Sequence, residues 1–265
     1  MSHESGTETI GCACCPPFEL CGPNPAAKLV EADQVFPLRA RVDGSFSGPS
    51  EHEAALVFDG CESHAENYGG TLLVDLTDPA TGKPRAPDYR PGVHPQRCKS
   101  LRTPRGNDAL VCEYTDGHQG NLTDQIFVYD FANKDAPFDS VYTASDDTLA
   151  ACTAGGTAMP VIAQHIDDFA VRDTNGDGIL DLTIHVLARR GKVTKAYTDV
   201  CMKALNSDDA AARKLPPLGS FLGASEARTL TFLGKKDGSF EATPETNASI
   251  KVMNAEHDAF LQMHD

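Results

Sequence analysis

Asp168-Phe169-Ala170-Val171-Arg172-Asp173-Thr174-Asn175-Gly176-Asp177-Gly178-Ile179-Leu180-Asp181-Leu182 reads as strand, acidic turn and strand. A hard divalent cation such as Ca²⁺ takes six to eight oxygens, so a short loop can hold one only if oxygen donors recur while the backbone turns sharply. Asp173, Asn175 and Asp177 recur at alternate positions, Gly178 permits the turn, Ile179 offers its carbonyl and Asp181 closes the loop in the ninth place. These five residues are the candidate metal ligands. An EF-hand would need a bidentate Glu at the twelfth place, where Ile184 stands, and flanking helices. Leu180, Leu182, Ile184 and Val186 alternate instead as a strand does.

Outward from this loop, the same arrangement of strand, polar loop and strand recurs. Ala54 to Phe58 precedes Thr71 to Val74, and Ala109 to Cys112 precedes Gln125 to Tyr129. Recurring hairpins separated by Gly, Asp and Asn predict an all-β chain with a blade-like repeat. Asn206 to Lys214 departs from the pattern, with a capping Ser207, acids in its first turn, bases in its last and Pro216-Pro217 behind it. It predicts a short helical insertion.

The stretch from Asp168 to Leu182 resembles the signature of FG-GAP, or VCBS, repeats, the blades of integrin α-like propellers. Thr229 to Phe240, ending in Lys236-Asp237-Gly238-Ser239-Phe240, resembles the strand, turn and aromatic that continue such a repeat. The resemblance implies a small or incomplete β-propeller with one structural calcium ion in a loop on its rim. Asp59-Gly60-Cys61-Glu62 and Asp116-Gly117-His118-Gln119 lack alternating donors, so their hairpins are read as degenerate blades. The expected organisation is a Cys/Pro-rich tail or cap over residues 1–30 and a propeller-like domain over 31–265.

Charge narrows the choice of partner. Against 38 Asp and Glu stand 23 Lys and Arg, a formal net charge of −15. Such a surface repels phosphate backbones and anionic lipid, which argues against nucleic acid and membrane surfaces as partners. No apolar run is long enough to span a bilayer. Nine cysteines point to an oxidising compartment. Met1 to Ser5 is polar and unlike a secretory signal, so the reading supposes that an export signal has been removed ahead of it. The expected location is secreted, periplasmic or at the cell surface.

Cys12, Cys14, Cys15 and Cys21 crowd among prolines. They suit either disulfide stapling or a soft metal held by thiolates, which would make the chain a metal-sequestering protein. Cys98 with Cys112, and Cys152 with Cys201, are the first pairs to test as disulfides. Asn121-Leu122-Thr123 and Asn247-Ala248-Ser249 match the glycosylation acceptor pattern. His185 is read as a packed strand residue. No nucleophile elbow, metalloprotease helix motif or phosphate-binding loop occurs, and no catalytic residue is assigned. The expected function is an exported, calcium-stabilised binding or adhesion module for an extracellular protein or glycan. The alternative is a secreted metal-dependent hydrolase whose site gathers His64 and His118 with Glu62, Glu66, Asp116 and Asn121.

Overall fold

The computed structural model describes residues 2–4, 7–11, 35–58, 69–77, 83–84, 90–92, 95–118, 121–133, 140–148, 159–205 and 221–264. Its strands are β1 (Ser2–Glu4), β2 (Thr7–Gly11), β3 (Val35–Gly44), β4 (Glu53–Phe58), β5 (Gly69–Asp75), β6 (Lys83–Pro84), β7 (Arg90–Gly92), β8 (Pro95–Arg102), β9 (Asp108–His118), β10 (Asn121–Tyr129), β11 (Ser140–Asp146), β12 (Met159–Arg172), β13 (Asp181–Val193), β14 (Glu226–Gly234) and β15 (Phe240–Ala242). The helices are α1 (Lys195–Leu205) and α2 (Pro244–His264).

The all-β expectation holds as a mostly β fold of two antiparallel sheets. One has seven strands, β1 to β7, and the other has eight, in the order β15-β14-β13-β12-β11-β10-β9-β8. All three expected hairpins form: Ala54 pairs with Val74, Cys112 with Phe127 and Ala170 with Thr183. The propeller does not. Among the described residues the sheets make neither separate blades nor a closed barrel. The reason lies in β11, which pairs along β10 on one side and touches β12 through Asp146 and Ala163 on the other. That strand carries a single ladder across the gap where two blades would part, so β9–β10 and β12–β13 belong to one meander.

Apolar runs without alternation mark strands buried on both faces. In β9, Ala109 and Val111 enter one core cluster, while Leu110, Cys112 and Tyr114 enter another. In β10, Ile126 faces the first cluster, and Phe127 and Tyr129 face the second. The second cluster takes Ala55, Val57 and Leu73 from the smaller sheet and Phe46 from the loop after β3, so the two sheets pack face to face there. The first lies within the large sheet, from Leu101 on β8 to Phe232 on β14, and Met253 of α2 closes it.

Polar side chains bridge β8 to β12 across this core. Arg97 donates from Nε to Glu113 Oε2 at 2.7 Å and from its terminal nitrogens to the carbonyls of Asp167 (2.6 Å) and Ile166 (3.2 Å). These carbonyls sit at the β12 irregularity between Ile166 and Asp168, where the ladder to β13 slips. Lys99 donates to the Phe169 carbonyl and lies 4.5 Å from the centroid of the Phe169 ring. Burial pushes the Glu113 carboxyl above its ordinary range, while the Arg97 guanidinium pulls it back.

The helical insertion expected at residues 206–214 and the tail cysteines Cys12 to Cys21 lie outside the described residues. Helix α1 ends just before that insertion and covers Val161 and Val193, with the Tyr197 ring tilted against Phe221, centroids 4.5 Å apart. Helix α2 is begun by Thr243, whose hydroxyl accepts from the Thr246 amide at 3.2 Å, with Pro244 in the first helical position. Thr246 then ties the helix to β14, accepting from the Thr231 amide and donating to its carbonyl.

Candidate calcium loop

Strands β12 and β13 present the acidic turn at one end of the large sheet. Asp173 opens it, and its carboxylate is a cap for the turn's own backbone. Oδ1 accepts from the amides of Asn175 (3.2 Å) and Gly176 (2.7 Å), and Oδ2 accepts from Gly178 (2.9 Å). These bonds, led by that from Gly178, hold the Asp173 carboxyl below the usual range. The next donors repeat the device. Asn175 Oδ1 accepts from the Asp177 amide at 3.0 Å, and Asp177 Oδ1 accepts from the Ile179 amide at 2.8 Å.

Gly176 and Gly178 have φ of 80° and 83°, and a Cβ at either would meet nothing within 4 Å. The left-handed backbone, rather than any lack of room, calls for glycine at both places. Residues 172–178 are exposed.

Asp181 differs from the other four candidates. It is fully buried, with Oδ1 accepting from the Gly234 amide at 2.9 Å and Oδ2 from the Thr174 amide at 2.8 Å and from the Thr174 hydroxyl. One carboxylate thus joins the turn, β13 and the end of β14. Gly234 is where that joint is tightest: a Cβ there would stand 2.3 Å from the Leu180 carbonyl oxygen.

The five residues therefore fit calcium in kind, since every donor is a hard oxygen and the turn is built for close approach. They do not form a closed cage here. Among the described residues no three His, Cys, Asp or Glu side chains gather as a metal-holding group. Asn175 Nδ2 bonds Asp177 Oδ2 at 3.0 Å, and both Asp181 oxygens are engaged.

Two other turns share this end of the sheet. In the β14–β15 turn, Asp237 Oδ1 accepts from the Ser239 amide and hydroxyl, and Gly238 has φ of 90°. Lys235 pairs with Glu241, and the nearby Asp177 adds to the charge that raises its pKa. Arg105 from the β8–β9 turn pairs with Asp130 and approaches Gly238. A small cleft opens between the three turns, floored by Leu101, Val128, Leu180 and Phe240.

The remaining candidates separate. His64, Glu62 and Glu66 lie outside the described residues, and His118 ends β9 with its backbone paired to Asn121. Asn121 is half-buried, with Nδ2 donating to the buried Asp147 at 2.8 Å. Asn247 is exposed in the first turn of α2. His185 is half-buried and bonds Thr229 at 3.2 Å. Cys98 and Cys112, directly opposed on β8 and β9, form a disulfide with Cα atoms 4.2 Å apart. Cys201 is also disulfide-bonded. No helix among the described residues is long and apolar enough to cross a membrane.

No protein-family model, curated protein or solved structure matches the chain.

Proposed function

We propose that this chain is a calcium-stabilised β-sheet module that binds an extracellular protein or glycan through the turns at one end of its large sheet. The observation that carries the reading is the amide cradle around Asp173, set in a turn that needs two left-handed glycines and places Asn175 and Asp177 at alternate positions. Asp173, Asn175, Asp177 and the Ile179 carbonyl are the donors, with Asp181 the fifth at the cost of its bond to Thr174. The ion supplies positive charge to a turn whose acidic groups otherwise repel one another.

The convergence of three polar turns around a shallow cleft supports recognition at this end. The Cys98–Cys112 disulfide suits an oxidising compartment. No described group favours the hydrolase alternative.

Melting curves in calcium and in excess chelator test the proposal. At a calcium concentration 100-fold above Kd, binding adds about 2.7 kcal/mol, which raises Tm by roughly 5–10 °C in a chain of this size. Identical curves under the two conditions would remove calcium from the account.

A further inference from the structure

Helix α2 packs on β12 and β14. Among the described side chains of the helix, Thr246 and Met253 are buried. His257, one turn beyond Met253, makes a polar tie to the sheet. Its Nδ1 lies 2.8 and 3.0 Å from the two carboxylate oxygens of Asp147, a residue with no exposed surface just past the end of β11. Asn121 on β10 donates to Asp147 Oδ1, and the Asp147 amide donates to the Ile162 carbonyl of β12 at 2.9 Å. Asp147 thus joins β10 and α2 through its carboxylate and β12 through its amide, next to the register pair Asp146 and Ala163 that links β11 to β12.

A buried carboxylate needs compensation. Two hydrogen-bonding side chains face Asp147, the Asn121 amide and the His257 imidazole, and only the imidazole can change its charge near neutral pH. We propose that His257 and Asp147 form a pH-operated latch that fastens the later turns of α2 over the large core when the imidazole is protonated and loosens them when it is neutral.

The charged groups around the imidazole favour the charged form. The Asp147 bond raises the His257 pKa most, Asp258 on α2 adds to it, and partial burial opposes both. Asp146 on β11 is a further carboxylate close to Asp147, and the His165 imidazole of β12 acts on it in turn. Because the folded value is raised, the latch contributes fully below the ordinary imidazole pKa of about 6.5, and its contribution disappears as pH rises through the folded value. Neutral imidazole can still donate one hydrogen bond from Nδ1, so the helix loosens without detaching.

Hydrogen exchange of the full chain between pH 6 and pH 8.5, corrected for intrinsic exchange, reads the latch directly. Protection of residues 254–264 is expected to fall about fivefold relative to β13, the size expected of a half-buried charge-assisted bond. His257→Gln keeps a hydrogen-bonding side chain without the titration, and its α2 protection is expected to stay at the high-pH level throughout. Asp147→Asn, which preserves shape, should also remove the pH dependence. A flat wild-type profile, an unchanged slope in His257→Gln, or a His257 NMR titration at or below the ordinary imidazole range would each overturn the proposal.

Discussion

Replacing Asp181 with Ala removes one buried acceptor and strands three donors. The Gly234 amide is buried at the joint between β13 and β14, so leaving it without an acceptor costs about 1–3 kcal/mol. The Thr174 amide and hydroxyl are partly buried and add about 1 kcal/mol more. Relief from burying a carboxylate offsets part of this, which leaves a net loss of about 2 kcal/mol from a total stability of about 5–15 kcal/mol. Urea unfolding in excess chelator, which keeps calcium out of the comparison, is the assay. With a slope of about 3 kcal/mol per molar, the midpoint falls by about 0.7 M at unchanged slope. Asp173→Ala, exposed and facing only its own turn, should shift the midpoint far less under the same conditions. An Asp181→Ala midpoint within about 0.2 M of the wild type would refute the clamp.

Three further outcomes follow from the packing. Cys98→Ser with Cys112→Ser opens a covalent link across a sequence separation of 14 residues and should cost about 3 kcal/mol, read as a lower urea midpoint under non-reducing conditions. Gly234→Ala forces a methyl against the Leu180 carbonyl and should destabilise by about 1–3 kcal/mol, whereas Gly48→Ala, whose Cβ would meet only Glu51 Cγ at 3.4 Å, should change Tm little. Met253→Ala empties the position where α2 closes the large core and should cost about 2–5 kcal/mol, measured by thermal or urea unfolding.

The hairpins were legible because each is local. Alternation from Leu180 to Val186 and the Gly and Asn signals between strands need no knowledge of distant residues. How those hairpins join was not legible. The decisive contact is Asp146 with Ala163, made by a strand whose Ser140 to Asp146 sequence gives no sign of which neighbour it takes on its second edge. The double burial of β9 was written in Ala109-Leu110-Val111-Cys112, an apolar run too continuous for a half-exposed hairpin.

Helix α2 carried a readable start in Thr243-Pro244-Glu245, but its exposed Val252 and many polar positions blur the apolar stripe. In the loop, residue order identified the turn and its glycines. It could not separate Asp181 from the other acids, because that difference depends on Gly234, 53 residues away. The His257–Asp147 pair spans 110 residues and left no local mark at all.

Calcium titration by calorimetry of chelator-stripped protein, set beside the Asp173→Ala/Asp177→Ala variant, tests the central claim most directly. The account predicts one ion per chain for the wild type and no measurable heat for the variant, which should remain folded because both side chains are exposed. Absence of binding in the wild type, or equal binding by the variant, would contradict it.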